Sequence, residues 1–235
     1  GQVLTQSTLV LNDLADCLYD GIVIGAAGIT VDLDGHIVDG KGIGAGVRND
    51  GFDNVTVRGG VITEFDFGVM LNQGTTGNIV EHLTIHKNEE GGVVMGNPPP
   101  VDPALPQPPP PTSNYDSNVD GNTVRFNDLL VNDTGVWLTN RAQDNFVRDN
   151  RMAANSKLGA WVERASGTRI ENNEIIGTAG EGVALEGANG NVVSGNFMED
   201  NGGGGILIGL TTSGVPGNVG LGSNDNTVEG NTLWE

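Results

Sequence analysis

Apolar and polar positions along this chain follow a repeating order. A glycine followed by an apolar, a variable and an apolar residue recurs as Gly68-Val69-Met70-Leu71, Gly92-Val93-Val94-Met95, Gly135-Val136-Trp137-Leu138, Gly159-Ala160-Trp161-Val162, Gly182-Val183-Ala184-Leu185 and Gly205-Ile206-Leu207-Ile208. Gly44-Ala45-Gly46-Val47 is a looser first copy, and from it the steps are 24, 24, 43, 24, 23 and 23 residues. A fixed period in the range of about 20–50 residues is the signature of a repeat architecture. Within each tetrad the second and fourth residues are apolar, a period of two, which predicts a strand.

A second element runs in phase with the first. It reads apolar, polar, turn residue, turn residue, polar, apolar, as in Val147-Arg148-Asp149-Asn150-Arg151-Met152 and Ile170-Glu171-Asn172-Asn173-Glu174-Ile175. Further copies start at Leu33, Val57, Val80, Val124, Val193 and Val228, and one column is asparagine at 127, 150, 173, 196 and 231. No window carries a helical stripe of useful length. Each period is therefore about three short strands and their turns, a unit that buries a core only by stacking on its neighbours. The expected fold is all-β: a single-stranded right-handed parallel β-helix of about eight coils with a 23–24-residue period. Equivalent residues then lie about 4.8 Å apart on successive coils. The asparagine column is expected to stack inward at a bend.

Residues 1–27 fall outside the period and are expected to cap the solenoid, which then runs over 28–235. Its last coil is incomplete at Trp234-Glu235. Two insertions interrupt it, a proline-rich one at about 98–118 and a Gly/Ser/Thr-rich one at about 209–224. Both follow a tetrad strand and so leave the solenoid at the same corner. Long loops on one face of a solenoid mark its binding face.

The entry segment Asp20-Gly21-Ile22-Val23-Ile24-Gly25, followed by Gly28-Ile29-Thr30-Val31-Asp32-Leu33-Asp34-Gly35-His36-Ile37, is similar to the first coil of many bacterial secreted right-handed β-helix repeat proteins. The chain resembles that group, in the superfamily of carbohydrate-binding and sugar-cleaving β-helices, over nearly its whole length. The resemblance implies the fold and a secreted or cell-surface location. It leaves activity open among lyases, hydrolases, epimerases and non-catalytic binders, since fold does not imply function. Cys17, the one cysteine, reads as a small apolar residue; the resemblance implies instead a partner cysteine preceding Gly1.

Eleven basic against thirty acidic residues give a net charge of −19, which excludes a nucleic-acid partner and an anionic membrane surface. Polyanionic glycans are repelled for the same reason unless a local basic patch or bound calcium intervenes, so a neutral polysaccharide is the favoured partner. No membrane-inserting run is present. His36, His82 and His86 do not share a strand face with metal-ligand spacing, so neither a metal nor a cofactor is expected.

The third residue of each tetrad points outward, and that column reads Met70, Val94, Trp137, Trp161, Ala184, Leu207. An exposed apolar stripe marks an interface, and indole faces suit sugar rings. The alternative is that the proline-rich insertion folds over the indoles. The next outward column holds Thr139, Glu163 and Glu186, with Arg141 and Arg164 nearby. Adjacent carboxylates one ladder spacing apart match the pair of a retaining glycosidase, or else form a solvated charge cluster. A third column alternates in sign through Asp34, Arg58, Glu81, Arg125, Arg148 and Glu171, an ordinary sheet stabiliser.

The reading that follows is a secreted scaffold that binds polysaccharide, without catalysis, through Trp137, Trp161, Thr139, Arg141 and Arg164. One alternative is a polysaccharide-cleaving enzyme using Glu163 and Glu186. The other is a self-assembling surface protein, joined through its last coil or the Met70–Leu207 stripe.

Overall fold

The computed structural model describes residues 1–96, 98, 118–140, 142–209 and 222–235. The described residues form three parallel sheets of nine strands each and a two-stranded sheet, with no helix. Every coil contributes one strand to each large sheet, so the chain winds as a right-handed parallel β-helix. Sheet A takes the tetrad strands, from Gln2–Leu4 to Gly204–Gly209. Sheet B runs from Thr8–Leu9 to Thr227–Glu229, and sheet C from Leu14–Cys17 to Thr232–Trp234. Residues 1–27, expected as a cap, supply the first strand of all three sheets. The bulk of both insertions lies outside the described residues.

Period-two alternation places one apolar residue of each short strand inward, and the columns Val57–Val80–Val124–Val147–Ile170–Val193 and Ile62–Ile85–Leu129–Met152–Ile175–Met198 are buried in one continuous core. The turn between sheets B and C needs one left-handed residue per coil. It is Gly59, His82, Phe126, Asp149, Asn172, Gly195 or Gly230 in successive coils.

The tetrad glycines have a different cause. From Gly68 to Gly205 none has a left-handed backbone. A Cβ on Gly68 or Gly159 would overlap Ile85 or Ile175 of sheet C and a glycine carbonyl of the next coil. Glycine is there because the sheet C side chain occupies the space.

Asparagines stack at all three corners. Asn127, Asn150, Asn173, Asn196 and Asn231 pass a bond from each Nδ2 to the next Oδ1 at 2.9–3.0 Å. The corner before sheet B does the same through Asn78, Asn122 and Asn145, and the corner after sheet C through Asn88 and Asn132. The last two stacks are interrupted, because Thr168 and Thr178 take asparagine positions, which hid them in the sequence.

The first two coils correct the expected alignment by two residues. Val31, not Leu33, is the partner of Val57, and Asp32, not Asp34, is the partner of Arg58. Leu33 is buried at the corner instead, and Asp34-Gly35 both turn left-handed. Likewise Val47 pairs with Val69, so the first tetrad is Gly46-Val47-Arg48-Asn49.

Candidate functional site on the outer face of sheet A

The outward tetrad column is in register from Arg48 through Met70, Val94, Trp137, Trp161 and Ala184 to Leu207. The structure corrects its expected exposure. Ala45, Phe67, Met70, Val94 and Trp137 form a second, buried apolar cluster against which Trp161 packs. Trp137 is 6 % exposed, Arg48 and Trp161 are partly buried, and Leu207 is 38 % exposed. The rings of Trp137 and Trp161 stack at 4.9 Å between centroids, 8° from parallel. Side chains one ladder spacing apart cover one another along the sheet, which alternation alone does not reveal. Whether the proline-rich insertion covers the indoles lies outside the described residues.

Polar groups flank this apolar floor on both sides. On one side Thr139, Glu163 and Glu186 pair in register. The Thr139 hydroxyl donates to Glu163 Oε2 at 3.1 Å, and Trp161 Nε1 donates to Glu186 Oε2 at 3.3 Å. Burial pushes the Glu186 carboxyl above the usual carboxylate range; the Trp161 bond opposes this and the Glu163 charge adds to it. Further along the same edge Asp50 and Asn72 are register partners, and both Oδ1 atoms are buried without a hydrogen-bond partner. Burial pushes Asp50 up as well.

The opposite edge carries Asp20, Asp66 and Glu90. Asp20 holds Arg48 at 3.0 Å, and Asp66 accepts from the Gly44 amide at 2.8 Å. Burial raises Asp66 and Glu90 too. Lys157, at the same edge, is held by Asp133. Trp137 Nε1 is also buried and unpartnered.

Of the residues singled out from sequence, Trp137, Trp161, Thr139, Glu163 and Glu186 come together here. Arg164 turns left-handed past the end of its strand, its Nε is buried without a partner, and no ion pair joins it to Glu163 or Glu186 among the described residues. Arg141 lies outside the described residues. Asp50 and Arg48 were missed because the first tetrad was aligned two residues early.

A parallel β-helix with an aromatic floor between acidic edges defines the class of protein. The chain belongs to the family described as periplasmic copper-binding protein (NosD), whose match runs over residues 23–235. No curated protein matches it. Among solved structures, the periplasmic alginate epimerase AlgG shares 14 % identity and a TM-score of 0.58, over 89 % of this chain and 49 % of that one. An alginate lyase from Paenibacillus sp. shares 14 % identity and a TM-score of 0.57, over 95 % and 98 %. Tailspike protein 2 of an Escherichia coli O157:H7 bacteriophage shares 10 % identity and a TM-score of 0.60, over 96 % and 37 %. These likenesses show the fold. The chain spans about half the length of the epimerase structures it matches.

The copper in the family description does not fit the residues present. Copper sites are built from imidazole, thiolate and thioether groups held together, and the whole chain has three histidines, one cysteine and four methionines. Met95, Met152 and Met198 are core residues, and Met70 lies in the outer apolar cluster. His36 is bonded to Asp13, His82 stacks on Phe126, and His86 lies beside Thr63. Among the described residues no group of three or more His, Cys, Asp or Glu side chains is placed to hold a metal ion.

Proposed function

We propose that this chain is an extracytoplasmic β-helix that holds a polysaccharide along the outer face of sheet A and does not cleave it. The stacked Trp137–Trp161 pair carries this reading. Trp137 is buried beneath its neighbour, and Trp161, partly buried, is the indole of the pair that reaches solvent between rows of hydrogen-bonding groups, where it can meet the apolar side of a sugar ring while those groups meet its hydroxyls. The periplasmic family description supports the location. Support for a glycan ligand also comes from the similar structures, an alginate epimerase and an alginate lyase. The acidic edges favour a glycan without anionic groups.

Affinity electrophoresis against neutral and uronate polysaccharides tests it. Retardation is expected on a non-anionic glycan and is expected to vanish in Trp161→Ala. Equal retardation of the variant refutes the reading.

One observation favours a second reading, a glycan-cleaving enzyme. Glu186 is held protonated more readily than an ordinary carboxyl and stands in register with Glu163. A general acid beside a carboxylate nucleophile has that form. Release of reducing ends or of unsaturated uronate from the same panel, lost in Glu186→Gln, would decide for the enzyme.

A further inference from the structure

We infer that the glycan taken by the outer face of sheet A is an amino-sugar polymer, its ammonium groups received by the acidic edges and first by the Asp50–Asn72 pair. This rests on the glycan reading and narrows it.

Three observations carry the inference. First, carboxylates line both sides of the apolar floor, and two of the cations beside them are already paired, Arg48 with Asp20 and Lys157 with Asp133, while the unpaired Arg164 stands beside Glu163, coils away from the Asp50–Asn72 pair. Second, Asn72 is 9 % exposed, and its Oδ1 and that of its register partner Asp50 are buried with no donor. Buried acceptors without donors cost free energy until a ligand supplies them. A hydroxyl satisfies one such acceptor. An ammonium supplies three donors and a charge to both at once. Third, Asp50 and Glu186 stand on the same edge and Asp66 and Glu90 on the other, and burial raises all four, so a cation bound at either edge relieves the cost of the ionised forms there. A basic peptide would meet the same edges but has no use for the Trp137–Trp161 surface.

Titration calorimetry of the full chain at mildly acidic pH, in moderate salt, tests this with four probes: glucosamine hexamer, N-acetylglucosamine hexamer, mannuronate hexamer and an oligolysine of equal charge. The glucosamine hexamer is expected to bind at least about tenfold tighter than the acetylated one, and the mannuronate hexamer not at all. Asp50→Asn and, separately, Asn72→Ala should abolish that preference, the glucosamine hexamer losing more affinity than the acetylated one. Asp128→Asn, an exposed control on sheet C, should change nothing. Trp161→Ala should weaken both glycans.

Equal, Trp161-dependent binding of the two glucosamine-based hexamers overturns this inference and leaves the glycan reading standing. Oligolysine binding that matches the glucosamine hexamer and ignores Trp161→Ala overturns it in favour of a basic peptide. No binding of any hexamer overturns both. Should Asp50→Asn fail to fold, Glu186→Gln measures the same preference from the other end of the edge.

Discussion

At the scale of single residues, the tetrad glycine separates two reasons for using glycine. Gly177 turns left-handed, and a Cβ there would meet nothing. Gly159 has an ordinary backbone, and a Cβ there would overlap Ile175 Cγ2 and the Gly182 carbonyl. Gly177→Ala is expected to cost about 1–2 kcal/mol through left-handed strain. Gly159→Ala is expected to cost more, about 3 kcal/mol, through overpacking of a core that can only part its coils to relax. Urea denaturation of the two variants checks the order. Gly159→Ala combined with Ile175→Ala should recover part of the loss, because the second change vacates the space. No such recovery is expected for Gly177→Ala. The glycine was legible in the sequence as a period marker; its cause was not, since the neighbour it makes room for lies sixteen residues on, in another sheet.

At the scale of an element, each asparagine of a corner stack links three coils. Asn173 Nδ2 donates to the Val147 carbonyl and to Asn196 Oδ1, while its own Oδ1 accepts from the Nδ2 and the amide of Asn150. Asn173→Ala therefore strands buried donors and acceptors on both sides, and a loss of about 2–4 kcal/mol is expected. In the same stack Asn231 Oδ1 accepts from Asn196, beside Val228 and Leu233, which are 43 % and 56 % exposed. Water reaches that corner, so Asn231→Ala is expected to cost less than half as much. Equal losses would mean that the stack acts as one cooperative unit along its length.

The asparagine column could be read because five copies follow one another without interruption. The stacks broken by Thr168 and Thr178 could not. The strands of sheets B and C were legible from Val57 onward, where the spacing settles near one value. The earlier coils slipped by two residues because turn glycines lie on both sides of the correct alignment. That slip is what hid Asp50 from the candidate site while Glu163 and Glu186 stood out.

At the scale of the whole molecule, charge and burial act together. The chain carries a net charge of −19, and self-repulsion of that size works against a compact state. Asp50, Asp66, Glu90, Asp120 and Glu186 are all held above the usual carboxylate range, each first of all by burial. A group raised in this way binds its proton more tightly folded than unfolded. The stability it contributes is complete below the unfolded carboxylate range and drains away as pH rises through the folded value. Two groups work the other way. Asp13, lowered by the Ile37 amide and by His36, gives stability that is lost on acidification, but it is exposed. His86, lowered by burial and by Lys87, loses stability as pH falls through its folded value. The raised carboxylates outnumber them and share the sign of the overall charge. The melting temperature is therefore expected to be higher within the carboxylate range than above it, and the gap to shrink in high salt. Asp50→Asn with Glu186→Gln removes two of the responsible groups from the outer face of sheet A. That double variant should melt at nearly the parent temperature under acid conditions and above it at the alkaline end. Thermal melts across the pH range, for parent and variant, check both. A parent whose melting temperature rises with pH, or a double variant with an unchanged pH slope, would show that these carboxylates are solvated and that the acidic edges of sheet A are not a desolvated site.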